Sequence, residues 1–399
     1  MKEIVIIGGG ASGMAAAIRA ASNRDQHVTL LERQTRVGRK LLSTGNGRCN
    51  LTNLEAQPEC YHGEERDFPS GALNQYPPER VLEFFGGLGL KTVTEYGGRV
   101  YPMSDHAGSV LDVLRLGLEQ PNLSVRTGCT VERVEKRGIR FLITWPEERM
   151  EADRVIIACG GCAGSKLGGV MDGYRLLQSF GHSRTALYPA LTQIRTASDY
   201  PKALKGIKAD GTLRLLRGER VIAEAKGDIL FTESGLSGTA VFELSGQVAG
   251  RDDLTASLCF FAEGEDLLEE LKRRRTQWPE QAANSILTGT VQSRLGQMLC
   301  KYAGISGGDT IRTISDKKLE ILASAMTDFR LPITGVSGFE TAQVTAGGIK
   351  TSEFDPDTME SRLVSGLYAC GEVLDVDGDC GGFNLQWAWA SGLLAGELR

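Results

Sequence analysis

The sequence predicts an α/β protein: a nucleotide-binding domain built on a parallel sheet, with a β-plus-helical domain inserted into it. Three observations carry this. The first 32 residues run strand, glycine-rich turn, helix, strand, acid. The final stretch returns to the same order, with a strand ending at Gly371-Glu372 and a helix from Phe383. Between them, short alternating strands give way to helical periodicity.

Residues Ile4 to Ile7 form a short, β-branched apolar run, the mark of a strand buried on both faces. Gly8 to Gly13 then spell G-x-G-x-x-G, an alanine-rich helix follows, and a second strand from Val28 ends at Glu32. Each part has a physical task. Gly8 permits the tight turn, Gly10 lets a pyrophosphate approach the backbone, and Gly13 lets the helix pack closely on the sheet. The helix start, from Ala11 and Ser12, offers free N–H groups and a positive dipole end to phosphates. Glu32 is placed to accept hydrogen bonds from ribose hydroxyls. A lone G-x-G-x-x-G is equally a glycine-rich turn, but here the flanking strands, helix and acid agree on a dinucleotide site. This stretch alone does not separate FAD from NAD.

Residues 33–53 are dense in Gly, Asn, Ser, Thr and Arg. They read as a long loop with at most a short helix, a kind of loop that is commonly functional. Arg39, Lys40 and Arg48 would suit an anionic cofactor; the competing reading is a solvated basic loop. Residues 78–89 and 106–120 read as helices, and 92–102 as a hairpin turning at Gly97-Gly98. Residues 123–145 and 150–158 read as a β-meander that returns to the sheet. The domain division expected is 1–187, 188–337 and 338–399. The first and last pieces form one Rossmann-type domain. The insert is a small β-barrel or sandwich followed by a helical part over 264–330. Strand character resumes from Ser337 to Asp355.

At 399 residues the chain exceeds one typical core. Its formal net charge of −5 argues against non-specific nucleic-acid binding. Arg273-Arg274-Arg275 reads as a solvated helix face with nearby glutamates as partners. No apolar run approaches membrane-spanning length, and the first residues belong to the strand and turn rather than to a signal peptide. A cytoplasmic protein with no membrane partner is expected. The nine cysteines are scattered, as reduced core residues are. Cys159 and Cys162 have C-x-x-C spacing but lie at a glycine-rich strand end, and no second pair completes a metal site. Oligomeric state is not readable from the sequence.

The C-terminal signature selects the cofactor. A strand ending in Gly371-Glu372 brings an N–H and a carboxylate to a ribityl chain. A polar loop from Asp375 to Gly382 follows. The helix from Phe383 then points its N-terminus at the N1–C2=O edge of a flavin, where negative charge develops on reduction. A nicotinamide has no need of this second clamp. The competing reading makes Gly381-Gly382 a turn and Trp387 and Trp389 core.

These pieces together resemble the bacterial aminoacetone oxidase family, the YhiN-like FAD-binding flavoproteins, which include dehydro-bile-acid reductases. The resemblance rests on residues 8–17, Glu32-Arg33, 38–53, 99–102, 158–161, 230–238, 345–349, 358–361 and 366–392. It implies a glutathione-reductase-like FAD domain with an inserted β-barrel and a small helical domain. It places Gly8, Gly10, Ala11, Ser12 and Gly13 on the pyrophosphate, and Glu32, Arg33 and Val131 at the adenosine. Arg39, Lys40 and Leu41 flank the pyrophosphate and ribityl chain, and Asn46 approaches the isoalloxazine. Gly371, Glu372, Asn384 and Leu385 hold the ribityl and pyrimidine side. Three departures stand out: Glu233 replaces a histidine of the family's barrel motif, and Cys159 and Cys380 stand where threonine is usual.

The function implied is an FAD-dependent oxidoreductase that moves a hydride between flavin N5 and a small organic substrate lying between the FAD domain and the insert. With a single G-x-G-x-x-G, NAD(P)H would dock only transiently as donor. Alternatives are an oxygen-using amine oxidase, a reductase of activated C=C bonds, and a flavoprotein with a structural or redox-sensing role. None of His27, His62, His106 and His182 stands at an obvious site. Arg48, Tyr101 and Glu233 are the polar catalytic candidates, an arginine to orient a carbonyl or carboxylate and a tyrosine to donate a proton. Each also has a structural reading.

Overall fold

The computed structural model describes residues 1–146, 148–261 and 266–399. Its backbone divides into two units, Met1–Pro189 with Phe339–Arg399, and Ala190–Gly338.

In the first unit, strand β1 (Lys2–Ile7) has Ile4, Val5 and Ile6 fully buried. It sits centrally in a five-stranded sheet, between β2 (Gln26–Glu32) and Arg154–Ile157. Leu123–Thr127 flanks β2, and Leu367–Ala369 flanks Arg154–Ile157. Every pairing is parallel, with Ile7 opposite both Leu31 and Ile157. Helix α1 (Ala11–Ala21) packs against the C-terminal helix Phe383–Ala395. Small residues make this contact possible. A Cβ on Gly392 would lie 2.4 Å from Ser12 O, and one on Gly396 would lie 2.6 Å from Ala16 O. The two ends of the chain therefore share one hydrophobic core.

The β-meander is divided. Leu123–Thr127 pairs with β2 at the sheet edge, while Arg133–Arg137, Arg140–Trp145 and Glu148–Ala152 form a separate antiparallel sheet. An edge strand with four of its five residues exposed carries the same alternation as a hairpin strand, so pattern alone does not separate them. Between Ser337 and Asp355, only Val344–Ala346 is named as a strand within the unit's C-terminal piece, and Thr351–Glu353 is a 3-10 turn.

In the second unit, six strands close into a barrel. Closure leaves no unpaired edge, which favours a barrel over a sandwich. The closing strand, Phe329–Val336, pairs with both Leu254–Cys259 and Ile194–Thr196. It begins inside the segment that reads as helical, yet its residues alternate buried and exposed from Phe329 to Thr334 in the manner of a strand. Helix Thr239–Val248, within the barrel segment, buries Ala240, Val241, Leu244 and Val248. Helices Leu267–Gln277, Ser293–Tyr302 and Asp316–Thr327 form the helical part, whose expected first residues, 264 and 265, lie outside those described. Among the described residues, no helix is long and apolar enough to cross a membrane.

Candidate cofactor site

The glycine-rich turn separates two roles for glycine. At Gly8, with φ +109°, a Cβ would fall 2.4 Å from Ala158 O; at Gly13 it would fall 1.8 Å from Gly8 O. Both positions are fixed by packing. A Cβ on Gly10 would meet nothing within 4 Å. Gly10 is also the N-cap of α1, and no side chain caps that helix. The turn is thus closed beneath by Gly8 and Gly13 and open above at Gly10. The first amides of a helix have no partner within it, so this start can cradle an anion.

At the end of β2, the Glu32 carboxylate is held by two amides. Gly9 N donates to Oε2 at 2.7 Å and Gln34 N to Oε1 at 2.6 Å. Gly128 N and Cys129 N donate to the carbonyls of Gln34 and Glu32, which brings the segment leading to buried Val131 alongside. Arg33 and Arg39 are exposed, and Arg39 Nη1 donates to Gln34 Oε1 at 3.0 Å.

Lys40 and Glu372 join the next two stretches. Lys40 Nζ lies 2.8 Å from Glu372 Oε2, and Thr345 N donates to Glu372 Oε1 at 2.9 Å. Leu41 is buried below. Gly371, at φ +76°, approaches α1 so closely that a Cβ would lie 2.5 Å from Ser12 Oγ. Asn46 is exposed in the left-handed region, on the kinked 3-10 turn Lys40–Gly47.

The C-terminal helix begins after Gly382, at φ +105°, with no side-chain cap. The Asn384 side chain closes the preceding loop: Gly378 N donates to Oδ1 at 2.8 Å, and Nδ2 donates to Gly378 O at 2.7 Å. What Asn384 and half-buried Leu385 still offer a ligand is backbone at the helix start. A Cβ on Gly382 would lie 2.9 Å from Asn50 Oδ1. That oxygen is buried and has no hydrogen-bond partner among the described residues. An orphaned acceptor beside an uncapped helix start, together with the open cradle at Gly10, fits FAD, whose pyrimidine carries an N–H donor and whose pyrophosphate needs amides. Asn50 and Thr345 lie within motif stretches, yet sequence reasoning assigned neither of them.

Of the catalytic candidates, Arg48 and Tyr101 come together. The Arg48 guanidinium stacks 4.0 Å from the Tyr101 ring centre. It also pairs with Asp105 through Nε and with Glu95 Oε1 at 2.5 Å through Nη2. Both carboxylates push its pKa up, so its charge is already met within the chain. Tyr101 is buried, and burial raises its phenol. Glu233 stands in the second unit, exposed and 2.8 Å from Lys205 Nζ, which lowers its pKa.

His182 is buried with Nδ1 2.8 Å from Glu353 Oε2 and Nε2 2.9 Å from Ser361 Oγ, and it stacks on Phe354. His62 lies in the short strand Tyr61–His62. Cys159 and Cys162 are both free, and their sulfurs turn to different partners, Ile7 O and Met171 Sδ. Burial pushes both thiols up.

Residues 2–398 match the HI0933-like protein Rossmann domain. A 3-dehydro-bile acid delta(4,6)-reductase of Clostridium scindens is 40% identical over 405 residues, covering 100% of this chain and 98% of that protein. A ribosomal RNA dihydrouridine synthase of Escherichia coli is 30% identical over 393 residues, covering 98% and 96%. Among solved structures, the 3-ketosteroid delta1-dehydrogenase of Sterolibacterium denitrificans shares the fold, with a TM-score of 0.51 at 12% identity, covering 100% of this chain and 99% of that one.

Proposed function

The chain belongs to the HI0933-like Rossmann-domain family and is an FAD-dependent oxidoreductase, and from this we propose that it reduces a carbon–carbon double bond conjugated to a carbonyl. One observation carries the reading: two full-length relatives with different substrates have names that describe the same bond chemistry. A 3-dehydro, delta(4,6) bile acid carries a double bond next to its C3 ketone. Dihydrouridine arises by saturating the C5=C6 bond of uracil, which is conjugated to C4=O.

When bound, FAD would supply the hydride that adds to the β-carbon. In our reading the chain's residues do the rest. The amides from Gly10 to Gly13 hold the pyrophosphate, with Gly8 shaping the turn. Glu32, Arg33 and Val131 bind the adenosine end. Arg39, Lys40, Leu41, Gly371 and Glu372 flank the ribityl chain, and Asn46, Asn384 and Leu385 line the flavin side. Asn50 Oδ1 accepts the pyrimidine N–H. Tyr101 is the candidate proton donor to the α-carbon, because burial keeps its phenol protonated. Arg48, already paired to Glu95 and Asp105, fixes the Tyr101 ring. NAD(P)H serves as a transient donor.

The substrate favoured is a small apolar enone. The rRNA-modifying relative raises a second reading, uridine in RNA. Against it stand the net charge of −5 and the pairing of the one arginine run, with Arg273 and Arg274 on Glu270 and Arg275 on Asp316 at 2.6 to 2.7 Å. Arginines so paired give little of the phosphate attraction that drives RNA binding. Anaerobic assays with NADH or NADPH separate the readings. Donor oxidation that requires a 3-oxo-Δ4 steroid supports the enone reading. Dependence on unmodified rRNA instead supports the second. Turnover of amines with oxygen, with neither acceptor active, contradicts both.

A further inference from the structure

A short strap crosses the loop before the C-terminal helix. Tyr61–His62 runs antiparallel to Asp377–Gly378, with His62 opposite Asp377 and Tyr61 opposite Gly378. Glu64 N donates to Asp375 Oδ2 at 3.0 Å, Asp379 N to Cys60 O at 3.0 Å, and the His62 ring meets Asp379 Oδ1 at 2.7 Å. The strap is fastened to the helix start. Tyr61 OH donates to Phe383 O at 3.1 Å, and Gly378 exchanges two hydrogen bonds with Asn384. Asp377 is therefore held one residue from the clasp that fixes the first turn.

Four carboxylates lie in this loop and the turn just before it. Glu372 pairs with Lys40, Asp375 takes the Glu64 amide, and Asp379 pairs with His62. Asp377 lies opposite His62 in the strand pairing and two residues from both Asp375 and Asp379, so the charges of these groups and of Glu372 act on it. Around them, Arg66 acts on His62, and Lys350 is tied to Glu64 at 2.9 Å. Burial first, then the like charges of Asp375, Glu372 and Asp379, lift the Asp377 carboxyl to about 7, against the pull of His62.

We propose that Asp377 is a positioning residue for the flavin's electrons: ionised, it opposes the negative charge that gathers at the helix start on reduction, and protonated, it does not. The inference rests on the reading of the C-terminal helix as the flavin's partner. A fixed negative charge near a site that gains negative charge lowers its electron affinity. Reduction consequently draws a proton onto Asp377 in the neutral range, so that the two electrons entering FAD are accompanied by partial neutralisation of this carboxylate.

The test is an anaerobic spectroelectrochemical titration of the FAD-loaded protein, Asp377→Asn and His62→Gln, across roughly pH 5 to 9, which spans the shift from an ordinary carboxyl to a neutral one. Wild type and Asp377→Asn are expected to share one midpoint potential at acid pH and to diverge as pH rises, with the variant higher. A merely structural effect would shift the potential equally at all pH. His62→Gln removes the group that favours the ionised form, so its divergence from Asp377→Asn begins at higher pH. Coincident or parallel lines for wild type and Asp377→Asn overturn the inference. Should Asp377→Asn not retain FAD, His62→Gln against wild type decides: the bend in its potential-against-pH curve should lie at higher pH than the wild-type bend, and coincident bends overturn the inference equally. A wild-type protein that takes up no FAD overturns the cofactor reading instead.

Discussion

Lys40 and Glu372, 332 residues apart in the chain, are joined by a 2.8 Å ion pair. It ties the loop after β2 to the strand end on the far side of the parallel sheet. The Glu372 carboxylate also takes the Thr345 amide, so three separate stretches meet at one side chain. As a partly exposed pair it contributes at most about 1 kcal/mol to folding. Its larger consequence, in the proposed reading, is to set two charged groups beside the cofactor. Lys40→Ala is expected to leave thermal stability within about 1 kcal/mol of wild type. The same change should weaken FAD binding by about tenfold or more, or about 1.4 kcal/mol. Fluorescence titration of the stripped protein with FAD checks this; unchanged affinity would remove Lys40 from the site.

Gly10, the N-cap of α1, and Gly13, within its first turn, differ sharply in what surrounds them, which allows a paired experiment. Gly13→Ala drives a methyl into Gly8 O at 1.8 Å, so it should lower the melting temperature sharply and reduce soluble yield. Gly10→Ala meets no protein atom, so the apoprotein should lose only the N-cap preference for Gly over Ala, about 1 kcal/mol. That methyl instead fills the cradle, and the protein should purify without its yellow colour. A Gly10→Ala protein that retains FAD would show that the phosphates lie elsewhere.

Asn50 offers the reverse case. A buried acceptor without a donor costs about 1–3 kcal/mol. Asn50→Ala is therefore expected to leave the apoprotein as stable as wild type or more so, while weakening FAD by a similar amount. Differential scanning calorimetry with and without FAD measures both. Equal destabilisation of the two forms would mean that Asn50 serves the loop rather than the flavin.

His182 sets an acid limit on stability. Burial lowers its pKa, outweighing the contrary pull of Glu353. The unfolded chain binds the proton more readily than the folded one, so stability rises with pH through this region and is lost as pH falls below the unfolded value of about 6.5. The melting temperature should fall from pH 7 to 5.5, and His182→Gln should flatten that part of the profile. An identical slope in the variant would assign the acid loss to other groups.

The glycine-rich turn, Glu32 and the Gly371-Glu372 strand end were legible because their logic is local: each sits next to the helix or strand that gives it meaning. What escaped the sequence depended on distant partners. Leu123–Thr127 was hidden because edge and hairpin strands alternate alike. Phe329–Val336 follows directly on helix Asp316–Thr327, and its strand identity comes from pairing with two distant strands. The partners of Arg48 were not readable because Glu95 and Asp105 lie 47 and 57 residues away. Asn50 carries no signal in its residue type; only the absence of a donor at a buried oxygen marks it. Asp377 likewise reads as loop polarity until the strap from Tyr61 to Glu64 covers it.

The most direct test of the proposed chemistry is a single turnover without oxygen. The FAD-loaded protein is reduced, freed of excess reductant, and mixed with one equivalent of a 3-oxo-Δ4 bile acid while flavin and enone absorbance are followed together. The enone reading predicts that the flavin's colour returns as the enone band disappears, one for one. A flavin that stays reduced in the presence of the enone, and regains colour only when air is admitted, would contradict it.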